Sequence, residues 1–370
     1  MNSLRENCGV GSDMSRIPLI SVVVPAFNSA RYLPRALNSL FEQSYSPLEI
    51  IVVDDGSTDD TVRCLEPFRD RIRYIYQANR GLPGARNTGI CNSQGDFVGF
   101  LDADDWWSPD KLALQAPLLI DNERVGMVHS DFRYFTEDTG QYSPSEGKGD
   151  ELVGDCYQRL FERNWINVCT ALVRKECFEK AGLFDETIIG GLEDYDLWLR
   201  VSRQYEFAFV PKPLAVYFRH STNMSSNRLR MALAGLRVAE KALVADPLLW
   251  ERVGKREVNM KFFHLSYQAG CHYLECGDIH QGRRYLERSL EFFPGTYPTR
   301  EEYFDVAYAY YERGLFREAN RNFGKALQVR LLSPYVWAFW FVTFLPASFV
   351  RKLRRMKQQI GPAKNEAGER

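Results

Sequence analysis

The sequence predicts an α/β fold of three layers with mainly parallel strands, followed by a mainly helical appendage. Short apolar runs end abruptly in Pro, Asn, Asp or Gly and give way to segments with helical spacing. Such alternation builds sheets covered by helices on both faces. The polar residues stand at the carboxyl ends of the runs, where ligands gather in open α/β sheets. From Ser226 onward the pattern turns helical throughout.

The elements follow in order. LISVVVPAFN (19–28) is a buried strand stopped by Pro25 and Asn28, and RYLPRALNSLFEQ (31–43) is a helix with Pro34 near its start. LEIIVVDDGSTDDTVRCLEPF (48–68) repeats the unit: strand, two aspartates and a glycine, then a capped helix. RIRYIYQ (71–77) is a strand, GLPGARNTGICNS (81–93) a loop leading into a helix, and DFVGFLDADD (96–105) a strand ending in acid. Residues 122–220 continue the domain. TALVRKECFEKAGLFDE (170–186) gives a strand and a short helix, and GLEDYDLWLRVSRQ (191–204) an acidic first turn followed by an apolar helical face. Glu137 to Asp155 holds no sustained period and is expected to be a loop, either an ordinary surface excursion or one facing an acceptor.

In the appendage, Tyr273, Gly277, Gly282, Leu286 and Ser289 recur as Tyr310, Gly314, Ala319, Phe323 and Ala326, each 37 residues on. The match resembles degenerate tetratricopeptide repeats, with an irregular helical tail as the other reading. Leu331 to Val350 is rich in aromatics, and Arg351, Lys352, Arg354, Arg355 and Lys357 follow it. Such a segment suits a membrane surface with anionic headgroups, or a cover for the helices or a protein partner. The expected organisation is a flexible segment at 1–18, an α/β domain at 19–225, a repeat-like region at 226–330, an interfacial segment at 331–358 and a flexible tail at 359–370.

Composition narrows the function. With 45% hydrophobic and 26% charged residues over 370 positions, the chain is an ordinary globular protein long enough for two domains. A net charge of -1 removes any global attraction to nucleic acid. Eight cysteines without a CxxC pair read as reduced cytosolic thiols. The first residues lack the apolar core of a secretory leader, and no run of twenty apolar residues suggests a span. The expected location is the cytoplasm, peripheral on the inner face of the membrane.

The stretch FLDADDWW (100–107) concentrates the chemistry. Asp102, Asp104 and Asp105 either cap a turn or hold a divalent cation, Mg2+ or Mn2+, with substrate phosphates completing the oxygen shell. Trp106 and Trp107 either stack on a sugar or pack. Glu193 and Asp194 offer two carboxylates at a helix start, able to accept a proton from an attacking hydroxyl or merely to cap it. Asp54 can accept a hydrogen bond from a nucleobase; Asp55 and Ser57 can instead build the turn. Arg86 pairs with an anion or with an acidic turn on the surface. His220, in YFRHSTNMS (217–225), is either an ordinary surface histidine or a ligand contact.

PAFNSARYLPRALNSLFEQSY, IIVVDDGSTDDT, RGLPGARNTGI, FLDADD and GLEDYDLWLR, in this order and spacing, resemble the motifs of family 2 glycosyltransferases with the GT-A fold over about residues 19–225. The resemblance implies transfer of a sugar from a nucleotide sugar, often UDP-linked, with inversion at the anomeric carbon. It implies that Pro25, Ala26 and Asp54 meet the nucleoside and that Arg86 and His220 meet the diphosphate or metal. Asp102 would lie near ribose and metal, Asp104 would ligate the metal directly, and Asp194 would be the catalytic base. Glu193 would orient the acceptor or support the loop. The acceptor class is a saccharide or lipid-linked saccharide in cell-surface polysaccharide, lipopolysaccharide or glycolipid assembly. The competing functions are a noncatalytic nucleotide-sugar-binding module with a helical protein-interaction region, and a helical scaffold. The scaffold leaves the strand-end residues unused.

Overall fold

A computed structural model describes residues 16–145, 147, 149–221, 223–292, 300–329, 340 and 343. The chain forms two compact units that divide between Ser226 and Asn227.

The first unit is built on one sheet. Its strands are β1 (Ile20–Ala26), β2 (Leu48–Asp54), β3 (Arg73–Tyr76), β4 (Phe97–Phe100), β5 (Trp106–Trp107), β6 (Val125–Thr136), β7 (Gln141–Pro144), β8 (Leu172–Arg174) and β9 (Glu206–Arg219). Their order is β3-β2-β1-β4-β8-β6-β9-β5, with β7 beside β6. The run β3-β2-β1-β4 is parallel. Beyond it β8 is antiparallel to both β4 and β6, and only the β6–β9 pair is parallel again. The expectation of mainly parallel strands therefore holds for one half of the sheet. Apolar runs report burial on both faces, and a buried antiparallel strand leaves the same trace.

Strand pleating sorts the side chains of β1 and β2 between two layers. Val22 and Val24 pack with Leu33, Leu37 and Leu40 of the helix Leu33–Phe41, whereas Ile51 and Val53 pack with Ala85 of the helix Gly81–Asn92. That second helix occupies the stretch read from sequence as a loop leading into a helix. Its first turn tolerates Pro83 because an N–H there has no helical partner to lose. The Arg80 N–H just before it donates to Asp55 Oδ1 at 2.8 Å, fixing the helix start to the end of β2. The helix lies very close to the sheet: a Cβ on Gly89 would fall 2.2 Å from Cγ1 of Val23.

Two other differences from expectation concern strands. Glu137 to Asp155 is not wholly irregular, because β7 pairs with residues Arg133 to Thr136 of β6 and Gly154 bridges to Phe207. β9 runs through Pro211 and Pro213, and the β6–β9 register shifts at Asp131 opposite Pro213. A bulge is where a strand accommodates a residue without an N–H.

The second unit stacks helices. Lys255–Glu275 pairs with Ile279–Glu291, and Arg300–Glu312 with Phe316–Val329. The two hairpins turn alike. Gly277 and Gly314 both have positive φ, at 85° and 75°. In each turn an N–H bonds back five residues, from Asp278 to Tyr273 O at 2.9 Å and from Leu315 to Tyr310 O at 3.0 Å. The buried small and large positions also correspond, with Gly282, Leu286 and Ser289 matched by Ala319, Phe323 and Ala326. The 37-residue recurrence is thus a repeated helical hairpin in geometry. Of residues 331–370, expected as an interfacial segment and a tail, only Trp340 and Thr343 are described; Trp340 packs against the core of these helices. Most of the expected terminal segment 1–18 likewise lies outside the described residues. No described helix is long and apolar enough to cross a membrane.

The close approach at Gly89 generates a stability prediction. Gly89→Leu should lower unfolding stability by about 1–3 kcal/mol or more, because a packed interface cannot admit the added volume. Urea denaturation checks it: a lower midpoint at unchanged slope is expected, and an unchanged midpoint would show that the helix can move away.

Candidate active site

The carboxyl ends of β1, β2 and β4 line up along one edge of the sheet, because Pro25 and Ala26 pair with Val53 and Asp54, and Val23 with Phe100. At that edge the Asp55 N–H donates to Ala26 O at 2.8 Å. Asn28, with φ of 49°, accepts from the Thr58 N–H at 2.8 Å and joins the loops after β1 and β2. Asp54 is fully buried. Its Oδ1 accepts from the Ser57 N–H and its Oδ2 from the Tyr74 hydroxyl, both at 2.8 Å. Burial, with Asp54 beside it, pushes the Tyr74 phenol up to about 12. Oδ1 thus shapes the turn, and Oδ2 ties the end of β2 to β3. Asp55 accepts from Gln77 Nε2 at 2.6 Å and from the Arg80 N–H.

Arg86 lies in the middle of the helix Gly81–Asn92 and is 1% exposed, so it is no surface partner. Its Nη2 donates to Asp102 Oδ1 at 2.7 Å, and its Nη1 donates to Glu193 Oε1. Burial works against the guanidinium charge, but Asp102 and Glu193 outweigh it and hold the group above its ordinary pKa. Glu193 is itself buried, with Oε1 paired to Arg86. Asn87, the next residue, accepts from the Phe184 N–H and donates to Phe184 O, both at 2.9 Å. One helix therefore grips both ends of segment 184–193.

That segment delivers Asp194. Gly190, Gly191 and Leu192 have φ of 115°, 102° and 68°, a left-handed run that costs a leucine energy and turns the chain sharply into the helix Glu193–Ser202. Asp194 is partly exposed, and its Oδ1 accepts from the Tyr195 N–H at 2.7 Å. Burial of the carboxyl and then the Glu193 carboxylate raise its pKa to about 7, with Asp102 adding to the shift.

Past β4, the acidic turn divides its labour. Asp102 and Asp104 keep 23% and 27% of their side chains exposed, whereas Asp105 is 1% exposed. Asp104 Oδ2 sits 2.9 Å from His220 Nε2. His220 is not on the surface: its ring stacks on Tyr32, with centroids 5.2 Å apart. Burial, followed by Asp102, raises the Asp104 pKa. Arg35, unnoticed in the sequence, donates from Nη2 to Asp104 O at 2.8 Å, with its guanidinium 3.9 Å from the Trp106 ring and 4.5 Å from Phe218. Trp106 is wedged among these groups, and Trp107 is buried with Nε1 donating to Cys169 O at 2.8 Å.

Among the described residues no group of three or more His, Cys, Asp or Glu side chains forms a metal cage. The oxygen donors of Asp102 and Asp104, both partly exposed, nevertheless fit a hard cation that takes one or two carboxylates and completes its shell from phosphate and water.

The sequence profile described as Glycosyl transferase family 2 matches residues 21–180. An uncharacterized glycosyltransferase of Rickettsia typhi is 34% identical over 226 residues, covering 57% of this chain and 68% of that protein. Chondroitin synthase of Escherichia coli is 39% identical over 225 residues, 58% of this chain but 31% of that longer protein. Among solved structures, S. aureus TarS 1–349 in complex with UDP-GlcNAc superposes with a TM-score of 0.58 at 18% identity, covering 91% of this chain and 92% of that one. The mannosyltransferase PcManGT from Pyrobaculum calidifontis, in complex with GDP-Man and Mn2+, gives 0.55 at 18% identity, covering 96% and 92%. These likenesses establish the GT-A type fold.

Removing Arg86 should be severe. Arg86→Leu leaves Asp102 and Glu193 unpaired, and breaking a buried ion pair costs about 3–5 kcal/mol. Chemical denaturation measures it. A loss below about 1 kcal/mol, the range of exposed pairs, would show that the cluster is solvated.

Proposed function

The chain belongs to glycosyl transferase family 2 and is a glycosyltransferase, and we propose that it transfers a sugar with inversion from a nucleotide sugar to a saccharide or lipid-linked saccharide hydroxyl. A UDP sugar is the donor we favour, and cell-surface polysaccharide or lipopolysaccharide assembly the setting. The observation that carries this reading is the Arg86 bridge: by holding Asp102 and Glu193 it keeps the acidic turn near Asp194, the residue after Glu193.

The nucleoside end of the donor belongs at Pro25, Ala26 and the turn that Asp54 shapes. The solved neighbours that hold UDP-GlcNAc and GDP-Man share this fold, which supports a nucleotide-sugar donor. Asp102 and Asp104 would hold Mg2+ or Mn2+, which when bound supplies positive charge to the diphosphate as the sugar bond breaks. His220 holds Asp104 in orientation, and Arg86 does the same for Asp102. On the other side of the sugar, Asp194 accepts the proton of the attacking hydroxyl. The oxygen forms its bond to the anomeric carbon as the bond to the diphosphate breaks. A base works best when its pKa lies near the working pH, and about 7 meets that condition.

The protonation state fixes the sign of the pH dependence. Asp194 acts only when deprotonated, so kcat/KM should fall as pH drops through about 7. Asp194→Asn should abolish that limb and lower turnover by roughly 100-fold or more while nucleotide-sugar binding persists. Tight donor binding without product in the native enzyme would instead favour a binding module.

Glu193 offers a second test of the same electrostatics. Its charge raises the Asp194 pKa. Glu193→Gln keeps an oxygen for Arg86 and removes that charge, so the acidic limb should move to lower pH. An unmoved limb would assign it to another group.

A further inference from the structure

Resting on that reading, we infer that Asp105 is a positioning residue: its buried carboxylate fastens the end of β9 to the acidic turn and thereby sets His220 against Asp104. Three neighbouring aspartates resemble a single ligand set, yet only Asp102 and Asp104 keep part of their side chains exposed. Asp105 points the other way. Its Oδ1 accepts from the Phe218 N–H at 2.9 Å across 113 residues of chain, and its Oδ2 is enclosed beside the Cys169 thiol.

Phe218 lies two residues before His220, so a bond to its N–H fixes where the His220 segment leaves the sheet. Asn223 completes that segment by accepting from the His220 N–H at 2.5 Å and donating to Phe218 O at 3.1 Å. On the turn's side, the Asp105 N–H donates to Asp102 O at 3.0 Å, so the same residue also closes the acidic turn. Arg35 adds a parallel tie from Asp104 O to the face of the Phe218 ring. Beside the Tyr32 stack and the Asn223 bonds, these two ties thus support the Asp104–His220 contact at 2.9 Å. Loosening either one lets His220 drift from Asp104, and a displacement of about 1 Å at a reacting centre can cost on the order of 100-fold in rate.

The test compares Asp105→Ala with Asp105→Asn in the full chain, with Val98→Ala as a control that lowers stability in β4 without touching the turn. Asparagine keeps a carbonyl oxygen for the Phe218 N–H; alanine does not. Two readouts are taken on folded protein: sugar transfer, and the ring signals of the five histidines by NMR, with His220 identified through His220→Gln. The tether predicts that Asp105→Ala shifts the His220 signal and lowers kcat by about 10- to 100-fold. Asp105→Asn should stay within about threefold of the native enzyme, and Val98→Ala should change the melting temperature alone. A His220 signal unmoved in Asp105→Ala, or Asp105→Asn as impaired as alanine, overturns the inference. If the native enzyme transfers no sugar while the His220 signal still moves only in Asp105→Ala, the tether stands and the functional reading fails.

Discussion

A guanidinium shut away from water between two carboxylates is the constraint on which the functional end of this molecule depends. Arg86 cannot be buried without counter-charge, and Asp102 and Glu193 cannot sit so close without a cation between them. The three come from segments 16 and 107 residues apart along the chain. Their mutual need therefore brings together a strand end and a helix start that nothing local would join.

Asp194 inherits its character from that arrangement. Asp194 sits next to the bridge without being part of it, so it feels the negative charge of Glu193 and Asp102 with partial relief from Arg86. A carboxylate left in that balance holds its proton to higher pH than one in water. The helix Gly81–Asn92 grips the segment carrying Asp194, and the Asp105 and Arg35 ties grip the segment carrying His220. The segments carrying Asp194 and His220 are thus held by separate clamps. Rigid support of this kind is what a reaction with a single geometry needs.

How much of this was legible follows from where each signal resides. β1, β2 and β4 announce themselves through apolar runs that give way at Asn28, Asp54 and Asp102, because strand burial writes a local pattern. The start of the helix at Gly81 does not, since three glycines and a proline obscure its period. β7 is exposed along its whole length and so leaves no apolar trace. Among site residues, the aspartates at the strand ends stood out by position, but their division of labour did not. Asp102, Asp104 and Asp105 are one chemical type in one tetrapeptide, and what separates them is whether Arg86, His220 or the Phe218 N–H lies nearby. Those partners are set by the fold. The same holds for Arg35, whose helix gives no hint that its side chain reaches the acidic turn.

The central claim is that a sugar held by its diphosphate at the Asp102–Asp104 side is attacked from the Asp194 side in one displacement. The configuration of the newly formed glycosidic bond tests this most directly. Proton NMR of the product, taken early in the reaction from a donor of known anomeric configuration, should show the opposite configuration at the transferred carbon. A product that retains the donor's configuration would contradict the account, because a single attack from across the cleft cannot yield it.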